Sequence, residues 1–295
     1  MERINYKIEK MNANISIKEF FEKFSVGKSN IYKLFFFKKV FVNDVLVKED
    51  YILKENDILG IDIEEEIDFL SYDIPLDVIY EDDHILVVNK PVGMIIHPDG
   101  NNLDKTLVNV VASYYYKHGI NRNVRYLHRI DIETSGVVLF AKDFLTYATL
   151  SKKVETHELK REYIALCHNK IDEKSMKINS PIGRDRHVAN KYRVGKSSNS
   201  KEAVTNYFLI KNYDDFAYVR LLLETGRTHQ IRVHMASINH PLLGDSLYGG
   251  KKDKISRVAL HSLRVSFMDP YNNERMIIEA PLPDDITKLL GDYYV

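Results

Sequence analysis

The segment Arg125-Tyr126-Leu127-His128-Arg129-Ile130-Asp131-Ile132-Glu133-Thr134-Ser135-Gly136, running straight into Val137-Val138-Leu139-Phe140-Ala141, sets charged side chains against an apolar run. Five consecutive apolar residues behind a glycine read as a buried strand. Asp131 sits a few residues ahead of that strand, bracketed by Arg125, His128 and Arg129. A carboxylate beside a core strand is expensive to ionise unless cations or hydrogen bonds support it. Such a group is a functional-site candidate, with a structural ion pair as the competing reading. The stretch alone does not choose between them.

Working outward, strand-like text surrounds this segment. Leu76 to Tyr80 and Ile85 to Asn89 precede it, and Arg161 to Leu166 follows, with Tyr163 and Ala165 on one face and Glu162 and Ile164 on the other. Ala203 to Ile210, Ala217 to Leu223 and Ala259 to Phe267 continue the pattern, with helices predicted over Thr106 to His118 and Phe144 to His157. Without a regular strand-helix cadence, the fold class is α+β, built on a mostly antiparallel mixed sheet flanked by helices and loops. A second dense polar cluster, Gly226-Arg227-Thr228-His229-Gln230-Ile231-Arg232-Val233-His234, reads as a helix entry.

Residues 14 to 62 form a separate small α+β unit. Ile17, Phe20, Phe21 and Phe24 have the spacing of one helix face, and Ser29 is a predicted cap for a second helix over Asn30 to Lys38. A hairpin turns at Asn43-Asp44, and Ile58 to Ile61 closes the unit. Between residues 18 and 39, six lysines face two glutamates, and Lys28, Lys33, Lys38 and Lys39 are candidate phosphate contacts. A solvated helical face is the plainer explanation for lysines alone. An acidic, proline-containing linker over 63 to 75 leads to the main domain, 76 to 290. Within it, residues 184 to 201 carry six basic residues against Asp185 and read as a mobile basic loop. Arg184, Arg186, Lys191 and Arg193 are its candidate nucleic-acid contacts, with an ordinary exposed hairpin as the rival.

The bulk composition excludes several classes. With 42 basic and 42 acidic residues, any polyanion contact depends on local segregation of charge. One cysteine, Cys167, rules out an intramolecular disulfide and a thiolate metal cluster. The start, Met1 to Tyr6, lacks the apolar core of a signal peptide, and no apolar run approaches a membrane span. A cytoplasmic protein with no membrane partner is expected. His229, His234 and His240 lack zincin spacing, and neither a serine elbow nor a nucleotide-binding glycine loop is present. No metal and no cofactor are expected.

The chain resembles the RluA/RluD-type pseudouridine synthases. Asn89-Lys90-Pro91-Val92-Gly93-Met94, His128-Arg129-Ile130-Asp131, Lys160-Arg161-Glu162-Tyr163-Ile164-Ala165, Gly226 to His234 and Leu260-His261 match that family's motifs in order. Residues 14 to 62 resemble the alpha-L, S-four-like, RNA-binding domain. The resemblance implies an isomerase converting uridine to pseudouridine in structured RNA, ribosomal RNA being favoured and transfer RNA possible. It implies Asp131 as nucleophile, at the ribose anomeric carbon or at carbon 6 of the base, with Arg232 as its ion-pair partner and Tyr163 stacked on the base and placed to take part in removing the carbon 5 proton. Arg129 would fill the gap left by the flipped uridine, with Arg227, His229 and Lys90 at the substrate. Replacing Arg232 with Leu should then remove activity and leave the fold intact. Nothing demands more than a monomer. The rivals are a non-catalytic RNA chaperone and a metal-dependent hydrolase.

Overall fold

A computed structural model describes residues 2–63, 65–100, 102–196 and 199–291. Glu64 of the linker, and Ser197 and Ser198 of the basic segment, lie outside the described residues.

The first unit comprises strand β1 (Glu2–Lys7), helices α1 (Ile17–Lys23) and α2 (Lys28–Phe36), and strands β2 (Val40–Val42), β3 (Val45–Leu46) and β4 (Ile58–Ile63). Its sheet runs β1-β4-β2-β3 and is antiparallel throughout. The start expected at residue 14 is too late, because β1 pairs with β4 along its whole length. Ile4, Tyr6 and Ile8 alternate into the same core as Phe20, Phe21 and Leu59. Ser16 and Glu19 form a reciprocal cap on α1. The second helix begins at Lys28, with extended Gly27 as its cap in place of Ser29. Asn43 and Asp44 both have positive φ, 50° and 65°. Two such residues in sequence make the turn that suits a two-residue hairpin.

The main domain follows with β5 (Val78–Glu81), β6 (Ile85–Lys90), α3 (Leu107–Lys117), β7 (Arg125–Tyr126), β8 (Ser135–Ala141), α4 (Phe144–Glu155) and β9 (Lys160–His168). Next come β10 (Ser175–Asn179), β11 (Ile182–Arg184), β12 (Tyr192–Val194), β13 (Val204–Asn212), β14 (Phe216–Leu223), α5 (Gln230–Ser237), β15 (Leu260–Met268), β16 (Arg275–Glu279) and α6 (Asp284–Leu290). One mixed sheet runs β10-β13-β14-β9-β15-β8-β6-β5, with β16 on β15 and β7 on β8. Only β8 with β15 is parallel. Strand β8 is buried along its whole length, and its side chains alternate between two cores. Val138 and Phe140 join Leu86, Tyr163 and α3 on one face, while Val137, Leu139 and Ala141 join Ile85 and Val265 on the other. Gly136 is required where the two parallel strands touch: its φ is +109°, and a Cβ there would lie 2.1 Å from the Ser262 carbonyl oxygen.

Three expectations change. Arg125 does not bracket Asp131; it forks onto the buried Glu65 of the linker. The linker is docked along the domain, with Asn109 donating to the Leu70 carbonyl and Val124 N–H donating to Asp68. The basic segment is anchored at both ends, since β11 and β12 pair and Tyr192 and Val194 pack near Val233 of α5. Alternating Tyr192 and Val194 supply apolar contacts that a free loop lacks.

The two units meet around Asp143, which caps α4 and is fully buried. It accepts from Tyr6 of β1 (2.9 Å), from the Thr146 N–H (2.9 Å) and from the Thr146 hydroxyl (2.7 Å), and it faces His84 Nδ1 at 3.0 Å. Burial works against its charge, but these partners outweigh it and hold its pKa below the ordinary carboxylate value. The associated stability is therefore complete above the unfolded value of about 4 and is lost as pH falls through the lower folded value. Tyr6→Phe removes a donor that crosses between the units and should lower unfolding free energy by about 1.5–3 kcal/mol. Urea unfolding of the full chain at neutral pH checks this; a change below about 0.5 kcal/mol, the scatter of neutral surface substitutions, would remove Tyr6 as a clamp.

Candidate active site

One face of the sheet opens into a cleft of about 430 Å³, bounded by the β7–β8 loop, β9, and the segment entering α5. Asp131, Tyr163 and Arg232 are brought together there from three separate elements, with Arg129, Arg227 and His229 also lining it.

Asp131 lies on the loop between β7 and β8. Its carbonyl accepts from Thr134 N–H, and the next carbonyl, Ile132, accepts from Gly93 N–H. The second of these bonds ties the segment after β6 to the loop that carries the carboxylate. Lys90 strengthens the same tie; its ammonium is close enough to feel the Asp131 charge, but Lys90 is not among the residues that line the cleft. Expected at the substrate, it is instead wholly buried, and its ammonium donates to the carbonyls of Pro91 and Met94 at 2.8 Å, with Ile132 at 3.4 Å. Burial pushes its pKa down to about 7. A lysine before a proline looks solvent-bound in sequence, but at a strand end three converging carbonyls can hold its head inside. His128 is likewise scaffold: its Nε2 accepts from Leu139 N–H, and burial, aided by Arg161, lowers its pKa to about 3.

Arg232 projects from α5 and is 4% exposed. Its nearest partner is not Asp131. Nε and Nη2 fork onto Asp245 at 2.7 and 2.8 Å, and Asp245 is itself buried. The remaining nitrogen, Nη1, reaches Asp131 at 3.6 Å, while Nη2 lies 3.9 Å from Glu133. At those lengths the contacts are ion pairs without hydrogen bonds. Burial opposes the guanidinium's charge, and Asp245 outweighs it, so its pKa is raised. The fork fixes the plane of the guanidinium and leaves one edge turned to Asp131.

Tyr163 is 4% exposed and forms part of the cleft. Burial raises its pKa and Asp131 adds to the effect, with Arg161 and Ser262 opposing. The phenol is therefore neutral and presents an apolar ring. Gln230 locks the entry to α5: its carbonyl accepts from Thr225 Oγ1 and Arg227 N–H, and its amide donates to Val204 O and Thr205 Oγ1. His229 caps that helix with a left-handed φ of 55° and meets the Tyr248 hydroxyl at 2.9 Å. Burial lowers its pKa, against the pull of Asp131. His234 is enclosed between Thr205 Oγ1 and the Ser180 carbonyl.

Arg129 and Arg227 are exposed at the rim, and Arg227 donates to the Glu202 carbonyl. The basic hairpin adjoins this side of the cleft, with Tyr192 edge-on to His229 and Lys191 over the Tyr248 ring. Arg184, Arg186 and Arg193 are exposed on it. Lys28, Lys33 and Lys38 are exposed, and Lys39 half-exposed, on or beside α2 in the first unit, away from the residues that line the cleft. Asp245, Glu133 and Arg161 were assigned no role from sequence. Among the described residues, no group of three or more His, Cys, Asp or Glu side chains is arranged to hold a metal. No helix is long and apolar enough to cross a membrane.

Comparison with known proteins places these residues in context. Residues 84–237 match the family described as RNA pseudouridylate synthase. The Bacillus subtilis (strain 168) protein named uncharacterized RNA pseudouridine synthase YhcT is 41% identical over 263 residues, covering 87% of this chain and 86% of the relative. Ribosomal large subunit pseudouridine synthase D of Salmonella typhimurium is 34% identical over 281 residues, covering 90% and 85% respectively. Among solved structures, human RNA pseudouridylate synthase domain containing 1 aligns with a TM-score of 0.59 at 27% identity, over 71% of this chain and 84% of that one. A family match over more than half the chain, with relatives this close over nearly all of it, means that the chain belongs to the RNA pseudouridylate synthase family and is an RNA-modifying isomerase.

Proposed function

We propose that this enzyme isomerises specific uridines in large-subunit ribosomal RNA, with Asp131 as the nucleophile. The observation that carries the reading is the placement of the Asp131 carboxylate at an open cleft, beside a buried arginine edge and in the same cleft as the buried Tyr163. The Asp131 oxygen attacks the ribose anomeric carbon or carbon 6 of the uracil. The bond from that anomeric carbon to N1 breaks, the base turns, and a bond to carbon 5 replaces it. The carbon 5 proton is lost while N1, freed from the ribose, takes up a proton, and the carboxylate is released again, so no co-reactant is consumed. Tyr163 supports the flat face of the turning base, and Arg232 turns a cationic edge toward Asp131. Arg129 and Arg227 at the rim meet the RNA backbone around a flipped nucleotide, and Arg129 fills the vacated space.

The relatives named for the large ribosomal subunit favour that RNA as substrate, with transfer RNA as the alternative. The first unit, residues 2 to 63, is read as an alpha-L RNA-binding domain. Its α2 region interleaves Lys28, Lys33 and Lys38 with exposed Tyr32, Phe36 and Phe37, and Tyr32 stacks on Phe36. Exposed rings among cations suit unpaired bases, each worth about 1–3 kcal/mol. Tyr32→Ala with Phe36→Ala should therefore weaken RNA binding by roughly tenfold or more without altering chemistry at the cleft. Filter binding to ribosomal RNA fragments measures this, and unchanged affinity would exclude the rings. The function itself is tested by mapping pseudouridine through carbodiimide-dependent reverse-transcription stops, in RNA from cells with and without the gene. A stop in large-subunit RNA that vanishes with the gene is expected; an unchanged map would refute the reading.

A further inference from the structure

We propose that Arg161 forms an anion subsite inside the cleft, which takes a phosphate flanking the target uridine. The inference rests on the reading of the cleft as a uridine site. Arg161 is the second residue of β9, two positions before Tyr163 and so on the same face of the strand. It is 6% exposed and lines the cleft. Buried arginines elsewhere are neutralised at short range: Arg232 forks onto Asp245 and Arg257 onto Asp285. Among the described residues, Arg161 makes no ion pair, and its Nε is buried without a hydrogen-bond partner. A buried guanidinium in that condition is destabilising unless an anion from outside completes it.

Its surroundings fit such an anion. The first residue of the second polar cluster, Gly226, passes so close that a Cβ there would lie 2.8 Å from Arg161 Nη1. Glycine at this position leaves the guanidinium edge clear, and Arg129 and Arg227 add positive charge at the rim. A nucleotide that swings into the cleft brings its phosphodiester with it. A planar guanidinium matches two phosphate oxygens at once, which an ammonium cannot do.

The test uses the full chain with 5-fluorouridine and its 5′- and 3′-monophosphates, followed by fluorine NMR titration. For the wild type, at least one monophosphate should bind tenfold or more tightly than the nucleoside. Arg161→Gln should erase that preference and leave nucleoside affinity unchanged, and Arg161→Lys should keep part of it. Gly226→Ala retains the charge but pushes the guanidinium aside, and it should reduce the preference as well. If Arg161→Gln does not fold, the lysine and alanine variants decide. No monophosphate preference in the wild type, or equal loss for nucleoside and monophosphate in the variants, would overturn the subsite. The titration needs no turnover. A chain that shows the preference but modifies no RNA would count against the proposed reaction and not against Arg161.

Discussion

Asp131→Asn is expected to reduce pseudouridine formation by on the order of 10⁴-fold or more, the scale on which loss of a covalent nucleophile acts. The side chains are close to isosteric, and asparagine keeps the space but not the anionic oxygen. Asp131 is partly open to the cleft and meets Arg232 only at 3.6 Å. That pair has no hydrogen bond to lose, and Asp245 still neutralises Arg232, so the variant should fold and melt much like the wild type. Affinity for RNA should also persist, because the phosphate contacts proposed for Arg129, Arg161, Arg227 and the lysines of the first unit do not involve Asp131. Single-turnover assays on an RNA carrying a mapped site, with binding measured alongside, separate the two effects. Wild-type rates from the variant would remove Asp131 from the chemistry; loss of binding in step with rate would make it a docking residue.

How much of this was legible in the sequence depends on the type of signal. The alternation along β9, with Tyr163 and Ala165 on one face, was readable because a strand has period two and its core face is apolar. The same period runs through Ile4, Tyr6 and Ile8, so β1 is legible in the same way. The partners of Arg232 and Arg125 were not legible. Asp245 lies 13 residues after Arg232 in a turn-rich segment, and Glu65 lies 60 residues before Arg125. No periodicity links such pairs; only the packing of α5 and the linker brings them together. Lys90 shows the opposite error, in which a charged residue type suggested contact with solvent or substrate although the backbone had already supplied its acceptors.

Those packed pairs also change what replacing Arg232 should do. Arg232→Leu leaves Asp245, which is 1% exposed, as a buried carboxylate without its counter-ion. Breaking a buried pair from one side costs about 3–5 kcal/mol. The single variant should therefore be both inactive and destabilised, which corrects the expectation of an intact fold and makes its inactivity uninformative. The double variant Arg232→Leu with Asp245→Leu removes both charges and replaces them with apolar volume. Replacing both members of a buried pair is often close to neutral, so thermal stability should return most of the way to the wild type. Activity should not return, because Asp131 still lacks the cation edge that faces it in the cleft. Arg232→Lys should fall between, keeping a charge but losing the fork that aims it. Melting curves and single-turnover rates on the three variants settle the division of roles. A stable double variant with wild-type rates would mean that Arg232 serves only the fold, and that Asp131 works without it.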